Sequence, residues 1–414
     1  MDLFVIIALL VILSAFYAYL NVRFLKLPGS IGIVTIAITG SALTLLVNKI
    51  DPAAAKHLNL LAKDINFPSA VLNILLGFLL FAGSFRANTG RLRRERRPVF
   101  ILSTLSVLLS TAIFGCIFHF GGALFHIRVP LIYCLLFGAL ISPTDPVSVG
   151  NIIKHSKLPS HLSTIISGES LFNDGVGLVV FITLLEAIRS GRDEVDLWKT
   201  AVFFFREAFG GILLGVITGM AGHRLMKTVP DFQTIVLISL SVVMGISVAG
   251  SYLEVSIPLA AVSAGLFAGS ETINGDENER SHEALVKFWG LVDELLNTVL
   301  FVMIGLQMIN LPYLTSYPLT GILSVLFILI ARWLSVFLPL IFLRRALEVN
   351  YSNMLVLTWA GVRGGISVAL ALSVPAGPYR HIILSASYMV VIFSVVVQGL
   401  TLNRVIRHAM KKQY

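Results

Sequence analysis

Thirteen apolar stretches, each close to bilayer-crossing length, succeed one another with short polar segments between them. They run over residues 3–20, 30–47, 67–85, 98–118, 129–153, 163–188, 201–226, 232–253, 257–270, 288–309, 319–342, 352–374 and 382–402. A spanning helix needs about 20 mostly apolar residues, and its backbone groups must be satisfied within the segment. The pattern predicts an all-α polytopic membrane protein with about 13 transmembrane helices. No connecting segment is long enough for a soluble domain. Only 13% of the 414 residues are charged, against about 25% in soluble domains. Disorder, an ordinary soluble enzyme and nucleic-acid binding as a main role are thereby excluded. Cys116 and Cys134 lie in apolar stretches and read as small core residues, with no disulfide framework.

The cationic residues give an orientation. Of 31 Lys and Arg, twenty lie at the ends of odd-numbered spans or in the segments after them, eight lie on the other side, and Arg206, Arg332 and Arg363 fall deeper inside spans. The positive-inside rule then places the N-terminus outside and the C-terminus in the cytoplasm. No Lys or Arg precedes the first span, so it lacks the basic start of a cleaved signal peptide. The basic run Arg91–Arg97 reads as a topology determinant.

Two spans are interrupted. The fifth contains Ser142-Pro143-Thr144-Asp145-Pro146, and the twelfth contains Gly361-Val362-Arg363-Gly364-Gly365. Proline removes a backbone donor and clashes with the preceding turn, and mid-span glycines admit unwound backbone. At membrane depth such backbone is tolerated only inside protein or beside a cavity. The two breaks are seven spans apart, and an odd offset reverses direction across the membrane. Spans 1–6 and 8–13 therefore read as inverted six-helix repeats with two broken helices at matching positions, the pattern of a secondary transporter.

Ionisable residues deep in a bilayer are functional candidates by default. Span six reads Gly168-Glu169-Ser170-Leu171-Phe172-Asn173-Asp174-Gly175. Glu169 and Asn173 share one helix face; Ser170 and Asp174 share its neighbour. With Thr144 and Asp145 on the broken span, these side chains offer an oxygen-only shell suited to a hard cation. Arg363 needs a buried partner, and Glu169 is the candidate, which leaves Asp174 as the exchanging acid. A buried carboxylate can hold a proton or a monovalent cation, but not both comfortably. Since the occupied site carries the same charge either way, competition at Asp174 predicts electroneutral one-for-one exchange.

The runs TDP at Thr144–Pro146, GESLFNDG at Gly168–Gly175 and GVRGGIS at Gly361–Ser367 resemble the NhaP-type sodium/proton antiporters of the cation:proton antiporter superfamily. So do LLFAGS at Leu79–Ser84 and FWGLVDELLNTVLFVMIGLQ at Phe288–Gln307, and the resemblance holds in order through spans three to thirteen. It implies the NhaA-like antiporter fold, with crossed broken helices and elevator-like alternating access. It also implies a homodimer with a dimerisation scaffold (1–97 and 201–310, spans 1–3 and 7–10), a transport core (98–200 and 311–403, spans 4–6 and 11–13) and a short cytoplasmic tail (404–414). Asp174 then corresponds to the cation- and proton-binding aspartate, and Asn173 to the asparagine found where exchange is electroneutral. Asp145 corresponds to the aspartate offsetting the half-helix N-termini, and Thr144 and Ser170 to oxygen ligands, so that a monovalent cation sits at Asp174, Thr144 and Ser170. Glu169 and Arg363 correspond to a structural ion pair, and Arg332 to a further in-membrane arginine. Departures are Gly290 and Gln307, where many relatives carry Glu, and Phe85-Arg86-Ala87-Asn88 after span three.

The implied activity is secondary active Na⁺/H⁺ antiport in a prokaryotic inner membrane, serving pH homeostasis. K⁺/H⁺ antiport on the same fold is the alternative, and a passive cation channel the competing class. The transported ions are Na⁺ (or K⁺ or Li⁺) and H⁺. No cofactor, nucleic acid or soluble small-molecule substrate is expected, and membrane lipid and a second copy are the expected partners. An intramembrane enzyme is disfavoured, because Gly168-Glu169-Ser170 is not a nucleophile elbow and Val286 stands where a zinc protease would need a second His after His282-Glu283. Asp293 and Glu294 read as paired or interfacial charges, or else as the wall of a cytoplasmic funnel. Gly211, Gly215 and Gly219 read as a close-packing face. His119 and His126 read as solvated histidines, Arg206 and Glu207 as groups satisfying lipid or loop atoms, and the acidic run 271–283 as a solvated loop.

Overall fold

The computed structural model describes residues 2–50, 67–145, 150, 153, 156, 158–189, 197–269, 276–309, 317–342 and 351–411. Among them there is no strand. Helix α1 covers Leu3–Leu20, runs on through a π-helical turn at Asn21–Leu25, and is followed by α2 over Gly29–Ile50. Helix α3 occupies residues 67–85 and contains a π-helical turn at Val71–Leu75. Then come α4 (Thr89–Arg94), α5 (Arg96–Ala123), α6 (Leu131–Ile141), α7 (Ser160–Arg189), α8 (Leu197–Lys227) and α9 (Phe232–Leu253). They are followed by α10 (Ile257–Ala268), α11 (Asp276–Met308), α12 (Pro318–Phe342), α13 (Tyr351–Trp359), α14 (Gly365–Ser373) and α15 (Arg380–Lys411).

Among the described residues, nine helices are long and apolar enough to cross a membrane. The remaining expected spans fall on shorter apolar helices: Leu76–Phe85 within α3, α6, α10, and the half-helices α13 and α14. Both anticipated interruptions are present. Helix α6 stops at Ile141, and Ser142–Asp145 are non-helical; Ala360–Gly364 separate α13 from α14. Pro146, Lys154, Lys157 and residues 271–275 lie outside the described residues, and the rest of the acidic run, 276–283, is helical and opens α11 rather than forming the expected loop.

Local chemistry sets the helix starts. Asn88 Oδ1 accepts from Arg91 N at 2.8 Å and caps α4, and Ser256 caps α10, with Pro258 in its first turn. Asp231 caps α9 by accepting from the Thr234 hydroxyl at 2.7 Å and its N–H at 2.8 Å. Those bonds favour the ionised form and hold the Asp231 carboxyl below its ordinary range.

Packing separates wall from centre. The apolar stretch of α8 is only 11% buried, and Phe205, Phe209, Leu213 and Ile217 face outward, as expected of a lipid-facing helix. By contrast α7 and α15 are 67% buried. Helix α8 buries its small face: a Cβ at Gly211, Gly215 or Gly219 would strike the backbone of Ser256, Ala260 or Ala264 on α10. Without a hydrophobic drive between helices in lipid, such close backbone approach is what dispersion contacts need. Cys134 is buried as expected, whereas Cys116 is exposed on the outer face of α5.

Candidate functional site

The irregular backbones of the two broken helices meet. Asp145 N donates to Val362 O at 2.7 Å, and Arg363 Nη1 donates to Pro143 O at 3.2 Å. A Cβ at Gly364 would collide with the Asp145 carboxylate, so glycine is required for this approach. The charges are complementary to the half-helices. Asp145 lies against the N-terminus of α14, and Arg363 lies against the carbonyls just past the C-terminus of α6, where helix ends carry partial positive and negative charge respectively. Arg363 is fixed from behind, its own N–H donating to Ser394 Oγ at 2.8 Å. The Ser394 hydroxyl in turn donates to Gln398 Oε1.

Beside this crossing, mid-α7 supplies Ser170, Asn173 and Asp174, all buried. Thr144 Oγ1 lies 2.8 Å from Ser170 Oγ and accepts from Asn173 Nδ2 at 2.7 Å. The backbone N–H of Thr144 faces Asn173 Oδ1 at 3.4 Å. Ser170 and Asn173 thus hold the unwound strand from behind. A cavity of about 590 Å³ ends here, lined by Thr144, Asp145 and Asp174. Along α7 it passes Ser163, Thr164 and Ser167, a descent of about 16 Å from residue 163 to Asp174 at the helical rise. Its other end is lined by Arg86, Asn88 and Arg91, on the side of the basic α4.

One expected pairing is corrected. Glu169 is bound not by Arg363 but by Arg332, whose Nη1 and Nη2 donate to the two carboxylate oxygens at 2.5 and 2.9 Å. All three residues are buried. The helical phase explains the exchange of partners. Glu169 leaves α7 on the side facing α12, away from the cavity, while the α13–α14 break turns Arg363 toward Pro143. Arg332 also donates to Leu357 O at 3.2 Å, tying α12 to α13. Of the three carboxylates expected to converge, Asp145 and Asp174 line the cavity and Glu169 does not.

Other charged residues find partners that the sequence did not identify. Asp293 accepts from Arg86 Nη1 at 2.8 Å and, with Glu294, also lines the cavity. It is therefore both a paired charge and a wall residue. Arg206 pairs with Glu254 at 3.5 Å, both side chains largely exposed. Glu207 is buried; its backbone carbonyl accepts from Ser256 N at 3.1 Å, whereas its carboxylate Oε2 finds no hydrogen-bond partner among the described residues. His119 faces Val129 O at 2.8 Å and is thus tied to the backbone rather than solvated. Among the described residues, no group of His, Cys, Asp and Glu suits a transition metal.

The sequence profile described as "Sodium/hydrogen exchanger, transmembrane" matches residues 10–408. The chain is 35% identical to the Na⁺/H⁺ antiporter NhaP of Pseudomonas aeruginosa over 407 residues, covering 97% of this chain and 96% of that one. It is 29% identical to the Na⁺/H⁺ antiporter NhaH of Halobacillus aidingensis, covering 98% of each. The solved sodium proton antiporter MjNhaP1 of Methanocaldococcus jannaschii has the same fold, with a TM-score of 0.78 at 20% identity, covering 99% of this chain and 100% of that one. With two broken helices crossed over a buried aspartate, an antiporter fold, and a family match spanning nearly its whole length, the chain belongs to the sodium/hydrogen exchanger family.

Proposed function

We propose that this protein exchanges Na⁺ for H⁺ one for one, by competition of the two ions for Asp174. The observation carrying this reading is the burial of Asp174 at the inner end of a cavity that also exposes Thr144 and Asp145. An ionised carboxylate removed from water is stable only with a counter-charge. The neighbouring Asn173 is neutral, and the buried guanidinium of Arg332 is committed to Glu169. A proton or a small cation therefore supplies the counter-charge, and binding one displaces the other. Thr144 and Asp145 complete the oxygen shell, with Ser170 and Asn173 fixing Thr144. Because the loaded site carries the same charge with either ion, the cycle is electroneutral.

Alternating access accompanies this chemistry, with residues 98–200 and 311–403 moving against a dimeric scaffold of 1–97 and 201–310. The chain lies in a prokaryotic inner membrane with its N-terminus outside, so the cavity beside α4 opens to the cytoplasm. Reconstituted liposomes test the whole reading. The unmodified chain should give saturable, pH-coupled flux with Na⁺ that is indifferent to an imposed membrane potential. Asp174→Asn should insert and give none. Flux that follows the potential would remove the electroneutral cycle, uncoupled current would make the protein a channel, and greater efficiency with K⁺ would make it a K⁺/H⁺ antiporter.

A further inference from the structure

The cavity wall formed by α3 and α11 carries a fixed ion pair that the exchange cycle does not use. Arg86 directly follows Phe85, the last residue of α3, whose ring is buried against Phe81 and Trp289. Its guanidinium donates to Asp293 Oδ2 at 2.8 Å, and both side chains are only partly exposed, at 25% and 15%. The other carboxylate oxygen of Asp293 accepts from Asn297 Nδ2 at 2.8 Å, so the acid is held on both sides. Gly290 lies one turn before Asp293, beneath the guanidinium. A Cβ there would sit 3.7 Å from Arg86 Cζ and Nε, so no side chain at 290 competes with Asp293 for Arg86.

The cavity is lined by the carboxylates Asp145, Asp174, Asp293 and Glu294 and by the guanidiniums Arg86 and Arg91. In a cleft with low-dielectric walls each such charge changes the local cation concentration and the affinity of the inner site. Transport needs binding strong enough to load and weak enough to release. On the antiport reading above, we propose that Arg86 sets cation affinity: it neutralises Asp293 and so keeps the field at Asp174 less negative than the wall would otherwise make it. Arg86 acts as a positioning and tuning residue through the field, without touching the transported ion.

The test is a set of Na⁺ titrations of exchange in liposomes at low ionic strength. Arg86→Gln should lower the apparent KM by about threefold with the maximal rate retained, and choline chloride should shrink the difference by screening. Arg86→Lys should keep the original KM. Gly290→Glu, which offers the guanidinium a second carboxylate, should lower KM without removing the arginine. Asp293→Asn should raise KM, and the double variant Arg86→Gln/Asp293→Asn should return close to the unmodified value. An unchanged or raised KM in both Arg86→Gln and Gly290→Glu, in a protein that otherwise exchanges, overturns the proposal and leaves the antiport reading intact. A fall in maximal rate and thermal stability at constant KM would make the pair a structural strut and also overturn it. Absence of exchange by the unmodified chain removes the antiport reading and this proposal together.

Discussion

Helices α8 and α10 meet through Gly211, Gly215 and Gly219 against Ala260, Ala264 and the N-cap residue Ser256, with both helices regular along the seam. The α6 and α13–α14 breaks meet through Asp145, Arg363 and unwound backbone. Both junctions rely on glycine for close approach, but for different reasons. At the seam, glycine lets two helices reach dispersion contact along their length, with one backbone hydrogen bond, from Ser256 N to Glu207 O, at its end. At the crossing, Gly364 makes room for a carboxylate, and freed backbone groups find one another across the gap. Regular helix satisfies its own hydrogen bonds and leaves nothing for an ion; broken helix exposes them, and that is where a cation can be bound.

The comparison is broken most sharply at Asp174. Asp174→Asn should abolish Na⁺/H⁺ exchange in liposomes while leaving insertion intact, and residual exchange would show that the crossing is not the ion site. Next is the charge behind it. Arg332→Met strands the Glu169 carboxylate and should destabilise the detergent-solubilised protein by about 3–5 kcal/mol. Arg363→Met removes a hydrogen bond to a carbonyl and should destabilise it by about 1–3 kcal/mol. Thermal unfolding of the two variants checks the reassigned pairing, and equal losses would contradict it.

At the seam, Gly215→Val should destabilise by about 1–3 kcal/mol through overpacking. Its properly folded fraction should exchange Na⁺ with unchanged KM; an altered KM would mean that the seam takes part in ion binding. Thr144→Ala should raise KM several-fold and, by leaving Asn173 Nδ2 without its acceptor, should also cost about 1–3 kcal/mol of stability. The smallest effect belongs to the exposed Arg206–Glu254 pair, where Arg206→Gln should change stability by less than about 1 kcal/mol.

Much of this was legible in the chain itself. Prolines and glycines inside apolar runs marked both breaks, since neither residue sustains a helix there. The spacing of Glu169, Ser170, Asn173 and Asp174 showed that one helix carried the polar side chains. It did not show which faces which neighbour, because a helix presents its residues around 360° and only the packing of α12 and α15 selects a partner. Spacing alone therefore pairs Glu169 with Arg363, whereas α12 brings Arg332 to it. Arg86, just past the end of α3, and Asp293, within α11, lie far apart in sequence, and no local pattern links them. Likewise Ser394 and Gln398 lie in a π-helical turn of α15, with nothing in the hydropathy to mark them as supports for Arg363.

Read along the chain, hydropathy and backbone chemistry establish the solvent this protein folds in, the approximate positions of its helices and breaks, and the short list of charges left in the membrane. Both act locally. Only the packing of distant segments decided which carboxylates line the cavity and which are held by arginine. It joined Thr144 to Ser170 and Asn173, left Asp174 at the end of a cavity, and placed Arg86 on its wall. Those are pairings across distant segments, and they depend on helix phase and depth, which a linear pattern leaves undetermined.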